Sequence, residues 1–358
     1  MTPARESTSS TAWNGTLSSK GHVPFTEDRP SVHDPVLVTG ASGFIGRHLV
    51  RQLLDAGHSV RVLVRDHEPL QPVIDRVDLV TGDLTEPHTI ERAVRGARSI
   101  LHLAACARAW VVDRSEYTRV NVGAVDSLLR AARRHDVERL VHVSTVLTLP
   151  PYREAAVNHG AQRPTPYERT KREGEELVRR YVEEGRHAVI VHPTRVYGPG
   201  PLTDANAVTK SIVLYARGRL RVRLNDGDAQ ANYVHAEDVA RGIMLAGQRG
   251  QAGARYVLGG ENATFAGLLA RVDAIAGIHR WVVPLPPALA VGVGAAAEWW
   301  GRVTGTAPFT ARWVRSLLED RRAAVASAMH DLGYAPRSLD QGLQETIAWL
   351  RSQRMLPV

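Results

Sequence analysis

The chain has 358 residues, 44% apolar and 23% charged, with a net charge of +8 and a pI near 10.0. That length and balance can bury a full core in one large domain or two, and they exclude disorder of the whole chain. Its arginines are scattered among acids with no basic run interleaved with aromatics, which excludes nucleic-acid binding, and a single cysteine, Cys106, excludes an internal disulfide and a cysteine-built metal site and fits a reducing cytoplasm.

Residues 1–33 are rich in Ser, Thr, Gly and Pro and read as a disordered tail, without the apolar core of a secretory signal. Residues 35–40, PVLVTG, are a short apolar run ended by a glycine, which predicts a buried parallel strand and then a helix through Leu54. Further strands are expected at 58–66, 77–84, 99–105, 139–145 and 188–200, with helices that include 120–134 and 167–184 between them. Beyond Gly200 the alternation weakens. Residues 233–246 read as a short strand and a helix, 254–260 as one more strand, and 261–358 as mostly helical, broken by PLPP at 284–287.

Strands alternating with helices predict an α/β fold, a doubly wound parallel sheet over 34–200 to which 232–260 returns. Residues 201–231 and 261–358 then form a smaller, mostly helical C-terminal substrate lobe. The longest apolar stretch, 285–297, is too short to span a bilayer and carries Pro286 and Pro287. It is expected as a buried helix, the alternatives being contact with a membrane surface or the lining of an apolar pocket.

The first strand-to-helix turn is TGASGFIG, with Gly40, Gly43 and Gly46 spaced G-x-x-G-x-x-G. Glycines there allow a tight turn and close approach of backbone to a pyrophosphate, and the helix N-terminus offers free N–H groups and a positive dipole end. That predicts a dinucleotide cofactor. The end of the second strand selects which one: a carboxylate accepts from the ribose 2′-OH of NAD, whereas a cation holds the 2′-phosphate of NADP. Arg65 comes first and Asp66 after it, so NADP is favoured, Arg47 could assist, and NAD stays possible through Asp66. Asp83 closes the third strand and reads either as an acceptor for the adenine amino group or as a helix N-cap.

Tyr167 and Lys171 stand four residues apart in a predicted helix and so share a face. Only Lys20, Lys171 and Lys210 are lysine in a chain with 45 Lys and Arg, so a lysine here stands out. A compact ammonium can favour the phenolate of Tyr167, lowering its pKa, and can hold ribose hydroxyls, tasks a guanidinium fork fits poorly. Ser144 and Thr145, at the end of the fifth strand, offer a hydroxyl to a reacting oxygen. Asn121 reads as an anchor for a water or a backbone bend near Lys171, or as a plain helix cap. No metal site is expected: His102, His142 and His192 sit singly in strands, and no H-E-x-x-H occurs. Cys106 reads as a packed small residue rather than a nucleophile.

As an ordered set these pieces resemble the extended short-chain dehydrogenase/reductase family: TGASGFIG (39–46), GDL (82–84), HLAA (102–105), NVGA (121–124), ST (144–145), YERTK (167–171), HPTRVYGPG (192–200) and NYVHAEDVARG (232–242). The resemblance implies a Rossmann domain holding a nicotinamide cofactor, with Tyr167 as acid/base, Lys171 on ribose and phenolate, and Thr145 or Ser144 polarising the substrate oxygen. It also implies cofactor contacts from Gly40, Ser42, Gly43, Phe44, Ile45, Gly46, Arg65, Asp83, Leu84, Leu103, Ala104, Ala105, Asn121, Tyr167, Lys171, Pro193 and Val196.

Within that family, the 4,6-dehydratases place Asp-Glu after the threonine, where this chain has Val146 and Leu147. Nucleotide-sugar epimerases carry Arg-Asp where this chain has Ala231 and Asn232. YVLGGENATF (256–265) and the helix after PLPP are similar to the dihydroflavonol-reductase and 3β-hydroxysteroid-dehydrogenase-like branch. The expectation is a cytoplasmic NAD(P)-dependent oxidoreductase interconverting a ketone and a secondary alcohol on a largely apolar small molecule, with a sugar or nucleotide-sugar epimerase as the alternative. The resemblance permits a homodimer through the long helices.

Overall fold

Successive residues in the central strands are buried on alternate faces of one sheet, which is why they read as unbroken apolar runs. Val36 and Val38 pack to one side and Leu37 to the other. The computed structural model describes residues 33–108, 111–150, 164–224, 229–304, 314 and 319–356. The expected tail over 1–33 lies outside the described residues except for His33.

The N-terminal part contains β1 (Val36–Thr39), α1 (Phe44–Asp55), β2 (Val60–Val64), β3 (Asp78–Thr81), α2 (Pro87–Val94) and β4 (Ser99–His102). Then come α3 (Ser115–Thr118), α4 (Ala124–Arg134), β5 (Arg139–Val143), α5 (Pro166–Glu183), β6 (Ala188–Pro193) and β7 (Arg195–Tyr197). The C-terminal part adds α6 (Ala207–Ala216), β8 (Val222–Leu224), β9 (Gln230–His235), α7 (Ala236–Arg249), β10 (Arg255–Leu258) and β11 (Glu261–Thr264). It ends with α8 (Phe265–Ala276), β12 (Val283–Leu285), α9 (Pro287–Thr304), α10 (Ala326–Leu332) and α11 (Leu339–Ser352).

Seven parallel strands form the main sheet in the order β10-β6-β5-β4-β1-β2-β3, a Rossmann-type doubly wound fold. Helices α1 and α7 cover one face, through Leu53, Val239 and Ile243; α2, α4 and α5 cover the other, through Ile90, Leu128 and Val178.

The segment 188–200, expected as one strand, is two. Pro193 ends β6, and Arg195–Tyr197 pair instead with β9 in a three-stranded sheet, β11-β9-β7. Thr194, between them, donates to Asn232 Oδ1 at 2.8 Å. Asn232 also donates to Gly260 O at 3.0 Å and accepts from Gly260 N at 2.8 Å. Within 232–260, α7 and β10 lie on the main sheet, while β9 is the middle strand of the small one.

The helix expected to be buried, α9, is not. Ala290 is buried, but Leu289, Val293, Trp299 and Trp300 are 60%, 52%, 65% and 59% exposed. Only Ala290 and Gly294 are buried among its described small residues, while Ala288, Gly292, Ala295 and Ala296 are exposed with the larger apolar side chains.

Candidate active site

The predicted residues gather at the C-terminal edge of the main sheet, where an open parallel sheet forms its ligand crevice. Gly40 follows β1 with φ +74°, and a Cβ there would stand 2.6 Å from Ala104 N. A Cβ on Gly46 would stand 2.1 Å from Gly40 O, so no side chain fits where α1 starts against the turn. Gly43 is the N-cap of α1, with no side-chain hydrogen bond capping it and no acid in the first turn. The N–H groups of Phe44, Ile45 and Gly46 are therefore left for an anionic ligand. Arg47 Nε donates to Ser42 O at 2.9 Å, which ties this guanidinium to the turn itself. Phe44 lies under Gly200, where a Cβ would come within 2.8 Å of its ring, and His48 Nε2 meets Pro199 O at 2.8 Å. These contacts bring the loop after Val196 onto the glycine turn.

Arg65 directly follows β2, with its side chain 78% exposed and Nη1 4.0 Å from Asp83 Oδ2. Asp83 does not cap α2, whose N-cap is Glu86. Its Oδ1 accepts from Thr85 N and Thr85 Oγ1, both at 2.8 Å, and the Thr85 backbone bond is what most lowers its pKa. Leu84 is buried beside it, and Leu103, Ala104 and Ala105 follow β4.

Asn121 caps nothing. It lies in a π-helical turn, residues 119–123, that runs between α3 and α4. Its side chain accepts from Cys106 N at 2.9 Å and donates to Cys106 O at 3.2 Å and Thr170 Oγ1 at 3.1 Å. It thus joins the loop after β4 to α5, next to Lys171. Gly174 was not anticipated: a Cβ there would stand 2.7 Å from Asn121 O, so α5 can lie this close only because that position is bare.

Helix α5 starts cleanly, with a capping box between Thr165 and Glu168 and Pro166 at its first position. Tyr167 and Lys171 both reach the end of β5. Thr145 lies near the Tyr167 phenol and acts to lower its pKa. The Lys171 ammonium donates to Val143 O at 2.7 Å. Tyr167 packs, as does Val120, on an apolar nest of Cys106, Val111 and Tyr117. Burial pushes its phenol up to about 12, with Thr145 pulling the other way. Burial also lowers Lys171 to about 8, against the pull of Glu175. The expected lowering of the phenol by the ammonium is therefore not what this arrangement gives. Loss of hydration dominates both groups.

Ser144 does not face Tyr167's partner. It donates to Glu175 Oε1, which Thr148 Oγ1 also reaches at 2.6 Å and His192 Nε2 at 3.2 Å, while Arg255 holds Oε2 at 2.6 Å. Burial works to raise Glu175, but His192, Ser144 and Thr148 hold it down to about 2. Thr148 Oγ1 also lies 2.8 Å from Thr145 O. Glu175 thus fixes the loop that carries Thr145 and is the buried acid one turn beyond Lys171. The only signal for it in the sequence is that i, i+4 spacing. Glu175→Gln keeps the shape and removes the charge. It is expected to move the alkaline limb of the pH–rate profile, near 8 through Lys171, to lower pH, because the ammonium loses its counter-charge. An unmoved limb in steady-state kinetics would refute the coupling.

The histidines do not sit singly. His102 and His142 are register partners whose rings stack at 5.3 Å, and His192 follows on the next strand of the same face. Burial lowers His102 to about 3 and His142 well below its ordinary value, so both are neutral. Cys106 is buried, and burial raises its thiol pKa, which opposes a nucleophilic role. Among the described residues one group, His235, Glu237 and Glu345, has ligand atoms within 4.8 Å of one another. Arg337 supplies the cation there, donating to Glu237 at 3.0 Å and to Glu345.

A glycine cradle at an uncapped helix end, joined to a Tyr–Lys helix on one parallel sheet, defines a nicotinamide-dependent enzyme of the extended short-chain dehydrogenase/reductase type. The family profile described as NAD dependent epimerase/dehydratase matches residues 36–259, and the chain belongs to that family. It is 30% identical to sterol demethylase protein B of Methylococcus capsulatus, covering 89% of this chain and 99% of that one. It is also 30% identical to 2-alkyl-3-oxoalkanoate reductase of Stenotrophomonas maltophilia, over 86% and 97% of the two chains. Among solved structures, UDP-glucose 4-epimerase of Thermus thermophilus in complex with NAD superposes with a TM-score of 0.67 at 27% identity, covering 88% of this chain and 98% of that chain.

Proposed function

We propose that this chain is an NADP(H)-dependent oxidoreductase that interconverts a ketone and a secondary alcohol on a largely apolar small molecule. The observation that carries this reading is the setting of Tyr167: Thr145 lies near its phenol while its ring is packed on the apolar cluster of Cys106, Val111 and Tyr117. An apolar substrate suits such walls better than a charged sugar nucleotide does. Asn232 agrees, since its side chain is spent on Thr194, Gly260 and Asn262 within the protein, where an epimerase has its diphosphate-binding arginine beside it. The names of two relatives, a sterol-processing protein and an oxoalkanoate reductase, point the same way.

The glycine cradle fits a dinucleotide pyrophosphate, and Gly40, Ser42, Gly43, Phe44, Ile45 and Gly46 would hold it. When bound, the nicotinamide exchanges a hydride with the substrate carbon. In the reducing direction Tyr167 gives its proton to the oxygen that gains charge, and Thr145 holds that oxygen in place. A phenol at about 12 keeps this proton at neutral pH until the oxygen needs it. Lys171 would then share the charge left on Tyr167 and, with the cofactor bound, would hold ribose hydroxyls. Asn121 ties Cys106, at the end of the loop of Leu103, Ala104 and Ala105, to Thr170 of α5, and Pro193 and Val196 would bound the nicotinamide side.

Titrating the full chain with both reduced cofactors, then screening apolar ketones and nucleotide sugars, tests the reading. Net loss of the reduced-nicotinamide absorbance with a ketone supports it. Turnover of a nucleotide sugar with no net absorbance change assigns an epimerase instead. Arg65 is exposed and 4.0 Å from a carboxylate, so a 2′-phosphate can reach it. Arg65→Ala is expected to weaken NADP binding by about tenfold or more and NAD by less than about twofold. Equal losses, measured by fluorescence titration, would remove the NADP preference.

A further inference from the structure

The described chain has ten exposed large apolar side chains, and seven lie together in sequence and pairing: Val222, Trp281, Val283, Leu289, Val293, Trp299 and Trp300. Val222 and Val283 are register partners in the two-stranded β8–β12 sheet, 45% and 44% exposed. Trp281, 82% exposed, precedes β12 by one residue, and α9 begins directly after it. On α9, Leu289, Val293 and Trp300 are spaced for one stripe, with Trp299 beside it. Apolar surface gathered in this way marks an interaction site rather than ordinary scatter.

The charge around the strand pair and the start of α9 leans positive, with Glu298 beside Trp299 and Asp226 and Asp228 after β8 as the nearest acids in sequence. Residues 207–224 and 274–297 contain no Asp or Glu, and they carry Lys210, Arg217, Arg219, Arg221, Arg223 and Arg280. Arg219, Arg221 and Arg280 are exposed, and Val283 N donates to Arg221 O at 3.0 Å, which places that cation beside the exposed Trp281–Val283 edge. Elsewhere the chain mixes its charges, as in the Arg179, Glu176 and Glu183 cluster on α5. Trp281 beside an acid-free, arginine-bearing strand pair, continued by the apolar stripe of α9, matches the interface of an anionic bilayer, where indole rings sit at headgroup level and cations meet lipid phosphates. A second copy of this chain would bring the same positive charge to the contact and be repelled. No helix among the described residues is long and apolar enough to cross a membrane, so the contact is peripheral.

We infer that α9 and the β8–β12 pair dock this protein on the surface of an anionic lipid bilayer. The inference goes beyond the catalytic reading and does not depend on it. The test is sedimentation of the full chain with phosphatidylcholine vesicles, with and without phosphatidylglycerol, at low and high salt. Binding is expected to be about tenfold or more stronger with the anionic lipid and to weaken with salt. Tryptophan emission should shift to the blue and be quenched by brominated acyl chains. The triple variant Trp281→Ser, Trp299→Ser, Trp300→Ser should lose binding and the emission shift while keeping cofactor affinity. Arg219→Glu with Arg221→Glu should weaken binding to anionic vesicles by about fivefold for each arginine reversed. Three results would overturn the inference: no vesicle binding, binding indifferent to both sets of substitutions, or a dimer in sedimentation velocity that the tryptophan variant dissolves.

Discussion

Tyr167→Phe is expected to lower kcat by about 10²- to 10⁴-fold and leave binding of the reduced cofactor within about twofold. The change removes one hydroxyl from a ring that stays packed on Cys106, Val111 and Tyr117, so the wall of the pocket survives and only the proton is lost. The Thr145 hydroxyl keeps the hydrogen bond it accepts from Leu147 N at 3.3 Å, which holds the loop in shape. The sign of the pKa shift adds a second readout. Burial raises this phenol from 10 to about 12, so it keeps its proton throughout the neutral range and is expected to donate it in the reducing direction. Pre-steady-state reduction should therefore lose its solvent isotope effect in the variant. Rates within about threefold of wild type would remove Tyr167 from the chemistry.

The second large effect is expected at Lys171. Lys171→Arg conserves charge, yet it should cost about 10²-fold or more in kcat, because the amine sits in a closed site, 2% exposed, with its hydrogen bond to Val143 O at 2.7 Å. A guanidinium fork is wider than that slot and stays charged where the amine has been brought down to about 8. Lys171→Met should be as inactive but more stable. A lysine whose folded pKa lies below its ordinary 10.5 binds its proton more weakly in the native state. At pH 7 that costs about 3 kcal/mol, and the cost is relieved as pH rises from about 8 through 10.5. Thermal melts of wild type should therefore improve across that window, and those of Lys171→Met should not. Equal pH trends in the two proteins would show that Lys171 is not held charged at a cost.

The main sheet was readable because its central strands are buried on both faces, so each appears as an apolar run bounded by Gly, Asp or Ser; β3 at the edge is exposed. The glycine turn and the Tyr–Lys spacing were readable because each depends on residues close in sequence. The break between β6 and β7 was not: nothing in the local sequence except Pro193 says that Arg195 leaves the sheet, and the reason, pairing of Arg195 with Tyr233 of β9, lies 38 residues on. Glu175 was hidden for a different reason. In KREGEELVRR one glutamate of three faces inward, and only the position of the helix on the sheet decides which. The exposure of α9 was misread because a run without charge reads as core, whatever actually covers it. Ser144 was offered with Thr145 because neighbouring hydroxyls look alike until Glu175 claims one of them.

The bare Cα of Gly174 has a consequence for how this chain tolerates change. Position 174 lies two helical turns from Tyr167 and touches no reactant, yet even one methyl group there would meet the Asn121 carbonyl at 2.7 Å. Pushing the helix outward would lift the proton donor and its amine together from the strand end that orients them. A saturation library selected for turnover should therefore be nearly empty at 174, as barren as at the tyrosine itself. Drift in this lineage is constrained by clearance between two backbones as firmly as by reactive groups.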